Sequence, residues 1–243
     1  LFEDWHGEIA AIYMEPMLTE YPKKKFLQNV KKIAKKYGTV LIFDEVITGF
    51  RFSLGGAQEL LKTQADLVVH GKGIANGMPL AAITGKYQYM EKFNDVFYSS
   101  TYFGETSSLV AAREVINEMQ EKPVIEQSWK LGEKIMNEFN RISDEIEIKI
   151  KMEGLPVRSL IVCRDENDNE SSLLKSLFYQ ETLKRGVLFG SGYVFLSYSH
   201  SLNDIKKTLK ASREAMIVVK KAIKNNSVKS SLKGNPMKPV MTF

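Results

Sequence analysis

Cysteine, histidine and long apolar runs are scarce in this 243-residue sequence, and each scarcity excludes a class of protein. The single cysteine, Cys163, excludes an internal disulfide and a zinc site built from several thiolates. None of the histidines, His6, His70 and His200, has a metal-binding partner at helical spacing, so we expect no metal centre. No apolar run approaches the roughly 18 residues of a membrane span, and no secretory signal opens the sequence. We therefore expect a reduced, cytoplasmic chain without a membrane partner.

A large excess of one charge is also absent. Lysine and arginine outnumber aspartate and glutamate by 34 − 29 = 5, and the lysine clusters fall within helical patterns, where lysine commonly faces solvent. No nucleic-acid-binding motif with interleaved aromatic residues accompanies them, so we expect no nucleic-acid partner. The 44% hydrophobic and 26% charged residues are ordinary for a globular chain, which excludes disorder.

Short apolar runs alternate with a helical pattern in the first half of the chain. Helical spacing of apolar residues from Phe26 to Tyr37, stopped by Gly38, lies between the first two of four predicted strands. The predicted strands are Ile9–Met14, Val40–Phe43, Leu67–Val69 and Leu80–Ile83. This order favours an α/β fold with a mostly parallel sheet, in which function gathers at the carboxyl ends of the strands.

The second half has a different pattern, typical of an α+β unit. It is mostly helical from Glu105 to Ile150, with an interruption at Pro123, and its tail from Asn225 is polar and predicted to lie extended on the surface. The other predicted elements are strands Val157–Cys163 and Val194–Tyr198 and helices Ser171–Arg185 and Leu202–Lys224. We expect two domains, residues 1–122 and residues 123–243.

Common catalytic motifs are missing. No glycine-rich loop ends in Gly-Lys-Ser/Thr, and no Gly-x-Ser-x-Gly elbow is present. Gly71, Gly73 and Gly77 are spaced one residue away from the dinucleotide-binding fingerprint.

Two polar residues follow predicted strands. Asp44 closes the strand that begins at Val40, and Lys72 follows the strand that begins at Leu67. Alone, the carboxylate is a common strand-end cap and the lysine a common exposed residue. Because both fall at carboxyl ends of one sheet, they could face one ligand, and a lysine nucleophile beside a fixed carboxylate suits Schiff-base chemistry on carbonyl compounds.

The residues around this pair resemble a known family. The segments 43–51 (Phe-Asp-Glu-Val-Ile-Thr-Gly-Phe-Arg), 55–58 (Gly-Gly-Ala-Gln) and 71–80 (Gly-Lys-Gly-Ile-Ala-Asn-Gly-Met-Pro-Leu) are similar to those of class III pyridoxal-phosphate aminotransferases. Segments 14–16 and 100–106 fall in the right order before and after them, and weaker similarity continues to 203–205. Arg51 and the Gly-Gly-Ala-Gln segment are most similar to the glutamate-1-semialdehyde aminomutase branch.

The resemblance implies a fold and a set of roles. The fold would be that of the fold-type-I transferases, with pyridoxal 5'-phosphate as the cofactor. Lys72 would hold the cofactor covalently, Asp44 would pair with its pyridine nitrogen, and Val46 would pack on its ring. Thr101 would reach the cofactor phosphate of the neighbouring subunit in a homodimer. Val46 as a core valine and Thr101 as a loop hydroxyl are the alternatives.

The resemblance also implies a reaction. We expect an aminotransferase that moves an amino group from a small-molecule amino donor to a carbonyl acceptor by a ping-pong mechanism. Intramolecular transfer, as in the aminomutases, is one alternative, although Met17–Pro22 stands where those enzymes have a Gly-Asn pair. Family members extend further at the amino end, so we also expect that this sequence lacks the N-terminal part. A non-catalytic fragment or partner subunit is therefore a third interpretation.

Overall fold

The computed structural model describes residues 1–190 and 192–238, and the chain divides into two compact units. Unit 1 comprises Leu1–Ile125 and unit 2 comprises Glu126–Phe243. The sequence placed the domain boundary between residues 122 and 123. Residues 239–243, the end of the predicted extended tail, lie outside the described residues.

Unit 1 contains a four-stranded sheet with the strand order β1-β2-β3-β4. Its strands are β1 (Ala11–Met14), β2 (Val40–Asp44), β3 (Leu67–His70) and β4 (Ala82–Gly85). The pairs β1–β2 and β2–β3 are parallel, and the pair β3–β4 is antiparallel. The carboxyl ends of β2 and β3 therefore meet at one edge of the sheet, as the sequence predicted.

Helix α1 (Phe26–Lys36) covers one face of this sheet because its apolar residues form one stripe. Leu27 and Ala34 are buried against Leu41 and Phe43 of β2, while Lys32, Lys35 and Lys36 are exposed. The helix ends before Gly38, whose φ of +66° suits the left-handed position that follows a helix.

The direction of β4 differs from the mostly parallel expectation, and β4 begins at Ala82 rather than at Leu80. A parallel return needs a crossover of a dozen or more residues, usually with a helix. The connection 71–81 contains only the 3₁₀ turn Lys72–Ala75, so the chain turns back beside β3 and runs antiparallel to it.

The remaining elements of unit 1 are short, except for one helix. They are α2 (Gly56–Leu60), α3 (Tyr87–Met90), a 3₁₀ turn (Glu91–Asn94) and α4 (Thr106–Glu121).

Unit 2 packs three helices against a three-stranded antiparallel sheet. Its elements are α5 (Val124–Ile146, which begins two residues before the unit boundary), β5 (Ile150–Leu155), β6 (Arg158–Cys163), α6 (Ser172–Lys184), β7 (Tyr193–Val194) and α7 (Leu202–Lys224). Helix α7 has the predicted bounds and begins with a capping box between Ser201 and Asp204.

Two strands of unit 2 differ from the prediction. The predicted helical region extends to Ile150, but α5 ends at Ile146 and β5 follows, with Ile150 and Met152 buried on one face. The predicted strand Val194–Tyr198 is only Tyr193–Val194.

The described part of the C-terminal tail contacts α6 and the core of unit 2, whereas the sequence predicted a tail extended on the surface. The Gln180 side chain donates to the Ser231 carbonyl at 3.0 Å and accepts from the Lys233 amide at 2.7 Å. Val228 and Leu232 pack against the core of unit 2.

Candidate functional site

Asp44 lies at the carboxyl end of β2 with a partner on each carboxylate oxygen. Oδ1 accepts from the Val46 amide at 2.9 Å, and Oδ2 accepts from the Tyr13 hydroxyl at 2.8 Å. Asp44 is opposite Val69 of β3 in the sheet register. The carboxylate is thus fixed at the strand end and is only half-buried, which leaves it accessible to a ligand.

Lys72 follows β3 and opens the 3₁₀ turn Lys72–Ala75. Its φ is +45°, a left-handed conformation that costs free energy in a residue other than glycine. Ile74 and Ala75 are buried and anchor the turn, while Lys72 itself is exposed. The turn therefore holds an exposed amine on a fixed backbone.

The loop that follows β2 and the loop that follows β3 meet at Val46 and Gly71. A Cβ atom on Gly71 would lie 3.2 Å from Cγ1 of Val46, so the glycine permits a close approach that a larger residue would obstruct. Val46 follows Asp44 by two residues, and Gly71 directly precedes Lys72. The structure thus places Asp44 and Lys72 at one edge of the sheet, as the sequence predicted from strand order, and Val46 lies between them.

Two more residues of the loops that follow β2 and β3 have left-handed backbone. Phe50 and Asn76 also have positive φ values, +57° and +44°. The Phe50 ring meets His70 edge-on at 5.7 Å, and burial lowers the pKa of His70 below its usual value. Strained residues that cluster in this way are typical of functional sites.

Glu45 has a structural role that sequence reasoning missed. Its side chain is fully buried and accepts hydrogen bonds from the amides of Ala57 and Gln58, both at 2.8 Å, and from the Thr48 hydroxyl. A Cβ on Gly56 would lie 2.5 Å from this carboxylate. Because successive strand residues point to opposite faces, the adjacent carboxylates take different roles: Glu45 fastens the Gly-Gly-Ala-Gln segment, and Asp44 stays accessible.

An open cleft of about 500 Å³ borders Lys72. Its other lining residues come from the same loops: Arg51, Gly73, Asn76, Gly77, Met78, Pro79 and Leu80. Two cationic side chains on one cleft favour an anionic ligand.

Thr101 lies in a different part of unit 1, in an exposed turn closed by the Phe103 amide and the Ser100 carbonyl at 3.1 Å. No hydrogen bond of its side chain is present among the described residues. No hydrogen bond joins Thr101 to Asp44 or Lys72 in the described part of this chain.

The turn that carries Thr101 is rich in exposed aromatic rings. Tyr98 packs edge-on against Phe93 at 5.7 Å and Phe103 at 5.5 Å, while Phe97 is 97% exposed. Glu105, at the end of this segment, caps α4 by accepting from the amides of Ser107 and Ser108 at 2.7 and 2.8 Å. Exposed aromatic side chains grouped in this way are uncommon on the surface of a monomeric protein and are typical of an interaction site.

No reactive thiol, metal site or membrane-spanning helix is present among the described residues. Burial raises the pKa of the Cys163 thiol to about 12, so this thiol stays protonated and unreactive. Across residues 1–190 and 192–238, no group of three or more histidine, cysteine, aspartate or glutamate side chains could hold a metal ion. In the same ranges, no helix has both the length and the apolar composition needed to cross a bilayer.

Known proteins share both the sequence pattern and the fold. The family model Aminotransferase class-III matches residues 1–227. The 3-aminobutyryl-CoA aminotransferase of Cloacimonas acidaminovorans (strain Evry) is 32% identical over 208 residues, which cover 84% of this chain and 50% of the relative. The glutamate-1-semialdehyde 2,1-aminomutase of Alkaliphilus oremlandii (strain OhILAs) is 32% identical over 237 residues, 91% of this chain and 55% of the relative.

Solved structures give the same fold. The internal aldimine form of the FumI protein of Sphingopyxis sp. MTA144 matches with a TM-score of 0.85 and 24% identity, over 92% of this chain and 55% of that chain. An omega-transaminase from Sphaerobacter thermophilus matches with a TM-score of 0.79 and 23% identity, over 90% and 54%. The predicted fold class is confirmed, and the chain spans about half the length of the curated relatives it matches.

Proposed function

Because this chain belongs to the class-III aminotransferase family, we propose that it forms part of a pyridoxal-phosphate-dependent aminotransferase. The single observation that carries the proposal is the contact of the Asp44 and Lys72 loops at Val46 and Gly71. It places an accessible carboxylate and an exposed amine at one sheet edge, which is the pair that this cofactor requires.

The residues present fit the cofactor. Asp44 has one donor on each oxygen, and a carboxylate oxygen can accept two, so capacity remains for a protonated ring nitrogen. Lys72 presents a primary amine beside an open cleft. When bound, pyridoxal phosphate supplies an electron sink for charge that develops on the carbon bearing the substrate amine.

The chain's own residues supply binding and proton transfer. Lys72 would hold the cofactor covalently, and its amine, when free, would move a proton on and off the substrate carbon. Asp44 accepts a hydrogen bond from the ring nitrogen and balances its positive charge. Val46 packs against the ring and limits its movement.

Thr101 extends the proposal to a homodimer. Its exposed turn and the neighbouring Phe97, Tyr102 and Phe103, which are 97%, 78% and 65% exposed, support a surface that a second copy covers. Thr101 would then donate its hydroxyl to the cofactor phosphate of the partner subunit. Sedimentation of the protein with and without Phe97→Asp tests this: the substitution should shift the protein towards monomer, and an unchanged dimer would contradict it.

A cofactor titration tests the proposed function. The purified protein mixed with pyridoxal phosphate should develop a visible absorbance band, and Lys72→Ala should lose both the band and amine transfer. Lys62→Ala is the matched control, because Lys62 is also exposed and also has a positive φ, +51°. A band that survives Lys72→Ala and disappears in Lys62→Ala would contradict the assignment.

Intramolecular transfer is the second candidate, favoured by relatives named glutamate-1-semialdehyde 2,1-aminomutase. With ¹⁵N-labelled glutamate semialdehyde and an unlabelled carbonyl acceptor, an aminotransferase passes the label to the acceptor. An aminomutase keeps it in the same molecule. The absence of the Gly-Asn pair of the aminomutases, in whose place Met17–Pro22 stands, supports the aminotransferase.

The cytoplasm is the proposed location. Its support is the free, buried thiol of Cys163, the only cysteine, in a chain that makes no disulfide. Cell fractionation with an antibody to the protein would test it.

A further inference from the structure

Tyr13 is the one polar side chain in strand β1, and it lies on the same sheet face as Asp44. The register pairs Tyr13 with Ile42 of β2, and Asp44 follows two residues later on the same face. Diagonal neighbours of this kind are roughly 7–8 Å apart at their Cα atoms, a span that a tyrosine ring can cross. The Tyr13 hydroxyl accordingly reaches Oδ2 of Asp44 at 2.8 Å.

The two donors to Asp44 occupy different oxygens. The Val46 amide binds Oδ1 from the loop that follows β2, and Tyr13 binds Oδ2 from the neighbouring strand. A carboxylate held only by Val46 could still rotate about its Cβ–Cγ bond. With both oxygens held, the plane of the carboxylate is fixed, and the remaining lone pairs point in set directions.

We propose that Tyr13 is a positioning residue that fixes the Asp44 carboxylate for the cofactor ring nitrogen, an inference that rests on the proposed function. The phenol acts through Asp44 and does not itself take part in proton transfer. Its hydrogen bond to Asp44, and to a smaller extent burial, raise the pKa of Tyr13 above its usual value, as expected when the phenol donates to an ionised carboxylate.

The first arm of the test uses the protein without cofactor. Ultraviolet titration of the tyrosines should contain a late phenolate transition that Tyr13→Phe removes and that Asp44→Asn moves to lower pH. Tyr21→Phe is the control, because Tyr21 is 53% exposed, close to the 58% of Tyr13. A Tyr13 transition that stays in place in Asp44→Asn would overturn the inference.

The second arm uses the protein loaded with pyridoxal phosphate. Tyr13→Phe should raise the cofactor dissociation constant and lower kcat by about three- to tenfold, less than the tenfold or more that a buried hydrogen bond to a charged group contributes, since Tyr13 is exposed. The KM for the amino donor should stay unchanged, because Tyr13 acts on Asp44 and not on substrate. Wild-type cofactor affinity and kcat in Tyr13→Phe would overturn the inference.

The two arms separate the two possible failures. Normal cofactor uptake at Lys72, together with a Tyr13 transition that does not respond to Asp44→Asn, would overturn only the role of Tyr13. If the unsubstituted protein took up no cofactor, the proposed function would fail, and the role of Tyr13 would fail with it whatever the titration showed.

Discussion

The two units differ in where their apolar side chains go. Unit 2 gathers a large buried cluster around Phe139 and Phe178, drawn from all three of its helices and from its strands β5 and β6. Unit 1 has smaller clusters, one around Phe43 and one around Ile74, and leaves large rings such as Phe97 in water. The candidate site lies in the unit with the smaller cores, so packing for stability and placement for chemistry are divided between the units.

Left-handed backbone occurs in both units, but only unit 1 has it in the loops of the site. Positive φ values follow helices in both units, at Lys62 after α2 and at Glu147 after α5, where a left-handed residue is a normal helix stop. In unit 1, Phe50, Lys72 and Asn76 also have positive φ values in the loops of the site. Left-handed residues in loops of this kind are typical of functional sites.

Two phenylalanine-to-alanine substitutions, one in each unit, should differ most in their effect on stability. Phe178→Ala in unit 2 should lower the free energy of unfolding by about 3–5 kcal/mol, because a fully buried ring leaves a cavity. Phe97→Ala in unit 1 should change it by less than about 0.5 kcal/mol, since that ring is exposed. Urea denaturation measures the free energy of unfolding of both variants. Equal losses would contradict the difference between the two units.

Asp44→Asn should remove most turnover while the fold remains intact. An amide cannot supply the negative charge that balances a protonated ring nitrogen, so we expect roughly a 100- to 1,000-fold loss of kcat, as for loss of other electrostatic contacts at active sites. Steady-state kinetics measures the turnover, and circular dichroism checks that the fold remains intact. Near wild-type turnover would make Asp44 a strand-end cap.

Gly71→Ala tests the contact between the site loops. The added Cβ would lie 3.2 Å from Cγ1 of Val46. We therefore expect the free energy of unfolding to fall by about 1–3 kcal/mol, as for other overpacked contacts, and cofactor binding to weaken. Gly73→Ala is the control, because its Cβ would meet neighbours only at 3.6 Å. Val46→Ala should restore the free energy of unfolding of Gly71→Ala, and a failure to restore it would place the strain elsewhere.

Glu105→Gln should give the smallest effect, and one that depends on pH. The serines at the start of α4 lower the pKa of Glu105 from 4.5 to about 2, so its stabilising effect is complete above about 4.5 and fades as the pH falls towards 2. Thermal unfolding should therefore separate Glu105→Gln from wild type at pH 7 and not at pH 2. Glu121→Gln, at the other end of α4, controls for the loss of one carboxylate from the same helix.

The sequence predicted the elements that local periodicity controls. Helix α7 has the predicted bounds, and α1 and the strands β2 and β3 lie within a residue of theirs. The strand order also placed Asp44 and Lys72 at one sheet edge, while their roles and those of Val46 and Thr101 stay predictions.

The features that sequence reasoning missed depend on contacts between distant residues. The direction of β4 follows from the short return after Lys72, and β5 has alternating residues that also continue a helical pattern. The bond between Tyr13 and Asp44 joins residues 31 positions apart, and no spacing rule could have found it.

The attachment point of the cofactor tests the central claim most directly. The protein is incubated with pyridoxal phosphate, reduced with borohydride to make the attachment permanent, digested and mapped by mass spectrometry. We expect the label on Lys72, with none on Lys62 or Lys86, and a label that becomes weaker in Asp44→Asn. A label on Lys62 or Lys86 with Lys72 unmodified would contradict it.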